Sequence, residues 1–340
     1  MTALYAGIDL HSTNYVLVIA DAEGQEVYRK RHRNDLPKLI SVLAPYQDRL
    51  ADVVVESTYN WYWLVDGLME QGYRLHLANT GAIQKYVGLK HVDDNSDALW
   101  LAEMLRLNIL PEGHIYPKEE RAIRDLLRKR AHLVRQRTAN LLSAKNIIAR
   151  NSGVSFCSRA LSKLSDEEID GLYQNANLAL AIKASVRTIG ALDEQITLIE
   201  KAVLGQVRLR DSFTNLLTIS GVGDILALTI MLETGDIHRF PSAGDFASYA
   251  RCVSSVHSSN GKKKGKGNTK NGNRYLCWAF HDAAAFAIRY NAQIQRYYQR
   301  RKDRGKHAMS AHAAVAHKLA TACYHMLKTN TVFDVDKAFG

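Results

Sequence analysis

The chain has 340 residues, 46% of them hydrophobic, with 45 Lys and Arg against 34 Asp and Glu, a formal charge of +11 and a pI near 9.4. That length supports two or three domains and a sizeable core, and the basic excess points to a polyanion, most often nucleic acid, or else to a basic enzyme with no such partner. Cys157, Cys252, Cys277 and Cys323 form no CxxC pair, which argues against a zinc site or a disulfide framework and fits a reducing cytoplasm. The opening "MTALYAGIDL" has no basic segment before an apolar one, so no signal peptide is expected, and no apolar run reaches the length of a membrane span.

Three short strands are predicted over 4–33: "LYAGIDL", apolar around one aspartate, then "YVLVIA", then "QEVYRKRHR" after the turn "DAEG". Residues 35–46 read as a short helix and "ADVVVEST" as a buried strand closed by a glutamate. "WYWLVDGLMEQG" reads as a helix with a C-terminal glycine, "YRLHLA" as a strand and "SDALWLAEMLRL" as a helix. A meander followed by alternating strands and helices predicts an α/β domain over 1–112.

From Glu119 to Arg150 there is no Gly or Pro, and Leu127, Val134, Leu141 and Ile148 recur at sevens. A second helix is predicted over 177–204, with Ile182, Ile189 and Ile196 at sevens and Ser185, Leu192 and Ile199 three places after each. Such seams predict either an antiparallel coiled-coil arm, placed at 113–210, or two core helices of a bundle. The first helix carries nine Lys or Arg from Arg121 to Arg150, among them Arg128, Lys129, Arg130 and Arg135, which read as a solvated face or as phosphate contacts.

Residues 211–340 form a mainly α-helical third unit. In "LLTISGVGDILALTIMLETG", Gly221 and Gly223 fall between two apolar helices, the pattern of a helix-hairpin-helix whose backbone amides approach a phosphate. His307, His312 and His317 are five apart and turn about 140° per step on a helix, so they are read as non-ligands. The stretch "HSSNGKKKGKGNTKNGNRY" at 257–275 sets Ser258 and Ser259 against Lys262, Lys263, Lys264, Lys266, Lys270 and Arg274, and no Asp or Glu occurs between Asp245 and Asp282. Taken alone it is a cationic loop that grips nucleic acid. A serine nucleophile there needs a base or a metal from elsewhere.

Asp9 interrupts an apolar strand, Glu56 closes another, and Asp94 and Asp97 stand three apart at a predicted helix start, where N-capping is the ordinary role of Asp. Asp93 competes with Asp94 but lies about 100° away on an ideal helix. Clustered carboxylates repel unless a divalent cation neutralises them, and Mg²⁺ suits oxygen ligands beside a phosphodiester.

Jointly these blocks resemble the DEDD-type insertion-sequence transposases of the one-ten group, whose members are RNA-guided serine recombinases. "GIDLHS", "VVVEST" and "DDNSDALWLAEML" are similar to the family's three acidic blocks, the last usually written K-T-D-x-x-D-A, and "SSNGKKKGKGNTKNGNRYL" to its S-G-G-K…K-x-G-N-x-x-L block. The resemblance implies an RNase H-like (RuvC-like) N-terminal domain, a metal tetrad of Asp9, Glu56, Asp94 and Asp97 with Mg²⁺, and Ser259 as the nucleophile that forms a phosphoserine–DNA link. It implies donor and target DNA, a structured non-coding guide RNA, homo-dimers and tetramers, and a cytoplasmic, nucleoid-associated protein. His91-Val92-Asp93 stands where the family has Lys-Thr, Asn260 replaces the first glycine, and Ser258 doubles the serine. A Holliday-junction-type nuclease, which shares the tetrad but uses a metal-activated water, is the alternative.

Overall fold

The computed structural model describes residues 2–83, 94–207, 210–253, 257–260, 262–265 and 271–340. By its internal contacts the chain divides into two compact units, Met1–Lys118 and Glu119–Gly340.

The first unit is built on one mixed sheet. Its elements are β1 (Leu4–Leu10), β2 (Asn14–Asp21), β3 (Glu26–Arg33), α1 (Leu36–Leu43), β4 (Leu50–Glu56), α2 (Tyr62–Glu70), β5 (Leu75–Ala78), α3 (Asp94–Arg106) and β6 (Glu112–Gly113). The strand order is β3-β2-β1-β4-β5-β6. β1, β2 and β3 form an antiparallel meander, β1–β4 and β4–β5 are parallel, and β6 returns antiparallel at the edge. Both central parallel strands are near-continuous apolar runs because both faces are covered. Leu4, Ala6, Ile8 and Leu10 alternate onto one face, where Leu39 and Leu43 of α1 and Leu64, Val65 and Leu68 of α2 bury them. The opposite face takes α3: Val54 packs with Leu101, Met104 and Leu105, and Val16 and Val18 pack with Ala98.

α3 can lie that close because Gly7 has no side chain. A Cβ there would stand 2.0 Å from the Ala98 carbonyl oxygen and 2.8 Å from the Ala102 nitrogen, both helix backbone. The loop after β1 is fixed as well, since the Asn34 and Asn60 side-chain amides both donate to the His11 carbonyl, at 3.1 and 3.0 Å.

The second unit comprises α4 (Lys118–Ser152), α5 (Ser158–Leu161), α6 (Asp166–Leu172), α7 (Ala176–Val207), α8 (Asp211–Leu217), α9 (Asp224–Thr234), α10 (Ala243–Tyr249), β7 (His257–Ser259), β8 (Lys262–Gly265), α11 (Arg274–Tyr290), α12 (Ala292–Asp303), α13 (Ala308–Thr329) and α14 (Val335–Phe339). α4 and α7 run antiparallel. Arg210 reaches Glu120, Arg130 reaches Glu200 and Arg137 reaches Asp193, so partners advance along one helix as they recede along the other. Of the seam residues, Leu127, Ile148, Ile182, Ser185, Ile189 and Ile196 are buried, whereas Val134, Leu141, Leu192 and Ile199 are half-buried, so the spacing marks the packed face only in part. At the far end α5 and α6 close the pair through Leu161 and Ile169 against Ala144, Ile148, Ala179 and Ile182. A Ser165–Glu168 capping box starts α6.

α9, in which every residue from Leu226 to Thr234 is buried, packs against α7, α8 and α11, and α13 packs against α8, α10, α11, α12 and α14. Ala279, Ala283, Ala284 and Ala287 of α11 are fully buried, small residues that admit close helix neighbours. The four cysteines are free. Among the described residues no helix is long and apolar enough to cross a membrane.

Candidate active site and nucleic-acid interface

The carboxylates follow from the sheet register. Gly7 of β1 pairs with Val54 of β4 in parallel. Gly7 meets α3 and Val54 packs against it, so both face that helix. Side chains alternate along a strand, so Asp9 and Glu56, two residues further on, take the same face on neighbouring strands. Glu56 lines a cavity of about 60 Å³ together with Asp97, Thr80 and Trp100. Asp97 immediately precedes Ala98, the residue seated on Gly7. Asp94 is the first residue of α3, and Asp97 follows it within the first turn. Asp93 lies outside the described residues.

Asp9 is 2% exposed, and among the described residues its Oδ2 accepts no hydrogen bond. His11 Nε2 stands 3.4 Å from it. A buried carboxylate is costly unless a cation neutralises it, and the His11 imidazole stands within ion-pair distance. This donor set, all hard oxygen and on one face, suits Mg²⁺ rather than a softer metal. Among the described residues no group of three or more His, Cys, Asp or Glu is placed so that it could hold a metal ion. His11 was not anticipated; its signal is the position two residues after Asp9 in "GIDLHS".

Ser259 does not sit in an irregular loop. It closes β7, which pairs antiparallel with β8, Ser259 opposite Lys262 and Ser258 opposite Lys263. Two residues connect the strands, and the first of them, Asn260, has φ 51°. Asn-Gly between paired strands is the common signal for a two-residue hairpin turn, and "SNGK" carries it. Lys262 and Lys264 are exposed; Lys266 and Lys270 lie outside the described residues.

The residues just before α11 are tied down. The Asn273 nitrogen donates to the Tyr249 carbonyl at 2.6 Å, and its side-chain oxygen caps α11 by accepting from the Tyr275 and Leu276 nitrogens. Asn273 Nδ2 donates to Glu233 Oε2 at 2.8 Å. Gly272 has φ 88°, and a Cβ there would stand 2.5 Å from the Tyr249 carbonyl oxygen, so only glycine fits.

The predicted phosphate contacts divide. Arg128 donates from Nε and Nη2 to the two oxygens of buried Glu233, at 2.6 and 2.7 Å, and its guanidinium lies 4.7 Å from the Tyr275 ring centroid. Burial disfavours its charge, but the hydrogen bonds to Glu233 and the nearby carboxylates outweigh that, and its pKa is raised. Arg130 pairs with Glu200 at 2.6 Å. Lys129 and Arg135 are exposed. Arg130, Arg135 and Arg274 nevertheless line one cavity of about 330 Å³, with Tyr275 and Trp278. Trp278 adds an indole face to three guanidinium groups, and single-residue reading gave it no weight.

Gly221 has φ 93°, and a Cβ there would stand 2.5 Å from the Ala287 nitrogen, so α11 already occupies the space beside it. Nothing lies within 4 Å of a Cβ on Gly223, which precedes α9 as its N-cap. The histidines are dispersed as their spacing requires. His307 caps α13, and His312 Nδ1 meets His281 Nδ1 at 3.3 Å with the rings stacked.

Two family models match the chain. Residues 6–149 match the DEDD model described as a transposase, and residues 214–299 match the model described as "Transposase IS116/IS110/IS902 family". The chain is 23% identical over 348 residues to the transposase for insertion sequence element IS1328 of Yersinia enterocolitica, covering 96% of this chain and 97% of that one. It is 24% identical over 280 residues to the transposase for insertion sequence element IS1111A of Coxiella burnetii, covering 79% and 74%. A 43.6 kDa uncharacterized protein of insertion element IS110 of Streptomyces coelicolor is 24% identical over 183 residues, covering 52% of this chain and 45% of its own. The two models match separate stretches, 6–149 and 214–299, that together make up most of the chain, and the chain belongs to the IS110-type DEDD transposases.

Proposed function

We propose that this transposase recombines the DNA of its insertion sequence through a phosphoserine–DNA intermediate. The observation that supports the reading is the placement of buried Asp9 and of Glu56 on neighbouring strands of the sheet face that α3 covers, with Glu56 and Asp97 lining one cavity. The first unit is read as RNase H-like, and Asp9, Glu56, Asp94 and Asp97 as the residues that hold Mg²⁺. When bound, the ion neutralises these carboxylates and withdraws charge from the scissile phosphate. Ser259 Oγ forms the new bond to phosphorus; the phosphodiester bond to one sugar oxygen breaks, and that oxygen leaves as a hydroxyl. A sugar hydroxyl of the exchanged strand then displaces Ser259 and regenerates its own hydroxyl. Lys262, opposite Ser259 across the hairpin, would supply positive charge to the phosphate that the serine attacks. A structured RNA from the element guides the choice of DNA, and the active assembly is a dimer or tetramer. α4 and α7 are read as its coiled-coil arm, and the α8–α9 turn as a helix-hairpin-helix.

The test is a denaturing gel after incubation with element DNA and the RNA that co-purifies. Wild type should yield a covalent protein–DNA species, lost in EDTA and in Ser259→Ala, while DNA binding stays within about twofold because no charge is removed. A covalent species in Ser259→Ala that disappears in Ser258→Ala would move the nucleophile by one residue. Cleavage by Ser259→Ala without any covalent species would favour the nuclease that uses water.

A further inference from the structure

A third, larger cavity, of about 760 Å³, lies among α12, α13 and α14. Its lining joins ring faces to cations, with Tyr297 and Phe333 beside Arg301, His317 and Lys318. Arg301 Nε and His317 Nδ1 are buried and have no hydrogen-bond partner among the described residues. Buried polar nitrogens are rarely left without partners; a phosphate would satisfy the Arg301 donor and, in the Nδ1–H form, His317 as well. The carboxylate on the wall, Asp334, is already engaged. Its Oδ1 accepts from the Asp336 and Lys337 nitrogens at 3.0 and 3.1 Å and caps α14. Lys318 donates to the Ala338 carbonyl at 2.6 Å and stands 5.2 Å from the Tyr297 ring centroid.

Outside the cavity the charge continues. From Arg296 to Lys306 the sequence "RYYQRRKDRGK" holds six Lys or Arg and one acid, Asp303, which accepts from Gln299 at 2.7 Å. Arg296, Arg300, Lys302, Arg304 and Lys306 are exposed. A basic track interleaved with aromatics, beside a pocket of nucleotide size, has the chemistry of single-strand recognition, with cations for the backbone and ring faces for a base. An acidic peptide would answer the cations but leave the ring faces unused.

We propose that this cavity takes one unpaired nucleotide of a nucleic-acid strand lying along α12, its phosphate toward Arg301 and His317 and its base against Tyr297 and Phe333. The proposal rests on the reading that the chain works on nucleic acid, but on neither the serine nor the metal. The test therefore uses full-length Ser259→Ala protein in EDTA, where binding is read without cleavage. The probes are a fluorescent duplex with one bulged nucleotide and the same duplex fully paired, each as RNA and as DNA, followed by anisotropy.

The bulged probe should bind more tightly than the paired one, and the RNA and DNA arms show which strand supplies the nucleotide. Val332→Trp, at an exposed position on the cavity wall, fills the space without changing charge. It should weaken the bulged probe about five- to hundredfold and leave the paired probe unchanged. Arg301→Ala should weaken the bulged probe by a larger factor than the paired one. Equal losses on both probes for Arg301→Ala would mean a surface charge patch only and would overturn the pocket. So would unchanged bulge binding in Val332→Trp, or competition by a polyglutamate peptide as effective as that by a mononucleotide. Failure of the covalent-species test with success here would leave a nucleic-acid binder whose chemistry is wrongly assigned, so the two outcomes separate.

Discussion

The carboxylate geometry depends on an atom that is absent at residue 7. With any Cβ at Gly7, the Ala98 carbonyl of α3 would have to retreat from its position, and that oxygen belongs to rigid helix backbone. The next residue back along α3 is Asp97, so displacement of the helix carries one of the proposed metal ligands away from Asp9 and Glu56. Gly7→Ala should therefore cost about 1–3 kcal/mol or more through overpacking. It should also reduce cleavage although every carboxylate is retained. Gly190→Ala is the matched control: it lies in the interior of α7, a Cβ there meets nothing within 4 Å, and the change should stabilise by up to about 1 kcal/mol. Thermal melts of both variants check the first pair of values, and the covalent-species gel checks the second effect. If Gly7→Ala melts like wild type and cleaves normally, the close approach of α3 is not what places Asp97.

Between elements, the informative contrast is Arg128 against Lys129, neighbours on α4 with opposite surroundings. Arg128 ties α4 to buried Glu233 of α9, which also holds Asn273, the N-cap of α11. Removing one partner of such a pair leaves a buried charge uncompensated, at a cost of about 3–5 kcal/mol. Arg128→Ala should destabilise the helical unit on that scale in a denaturant titration, Glu233→Gln should recover part of the loss in the double variant, and Lys129→Ala should change stability by less than about 0.5 kcal/mol. Equal effects at 128 and 129 would remove the structural role assigned to the pair. The same contrast shows what sequence could and could not convey. The strands, α3 and the α4–α7 seam were legible because apolar spacing of two or of three and four repeats along one segment. Asp9 and Glu56 stood out as acids that interrupt or close apolar strands, and Asp97 as one of a pair three residues apart at a helix start. The partner of Arg128 lies 105 residues away, and a pairing so remote leaves no periodic trace beside either residue. The cavity shared by Arg135, Arg274 and Trp278 was hidden for the same reason. The hairpin of Ser259 was different: Asn260-Gly261 announced it locally, but the lysine run read as a loop because its side chains have little strand preference.

For the whole molecule, the net charge conceals an asymmetry. Met1–Lys118 carries 11 Lys and Arg against 15 Asp and Glu, whereas Glu119–Gly340 carries 34 against 19. The unit with the candidate metal ligands is net acidic, and the whole basic surplus belongs to the helical unit. A polyanion should therefore be held chiefly by the second unit, leaving the carboxylates of the first to be neutralised by a small cation rather than by arginines. Exposure then selects which cations meet phosphate, because Arg128 and Arg130 already have carboxylates whereas Lys129, Arg135, Lys262, Lys264 and Arg274 are exposed. If these five each neutralise one phosphate, affinity for duplex DNA should fall with a log–log salt slope of roughly −4.5 from them alone. Removing Lys129 and Arg135 together should make the slope shallower by roughly 1.8, since each phosphate contact contributes about 0.9. Lys30→Ala with Arg33→Ala, two exposed cations on the edge strand β3, should leave it unchanged. The measurement is a series of full-length binding titrations at several salt concentrations, with EDTA present so that cleavage does not intervene. A slope that responds to the β3 pair and not to the α4 pair would place the phosphates on the acidic unit and reverse the assignment.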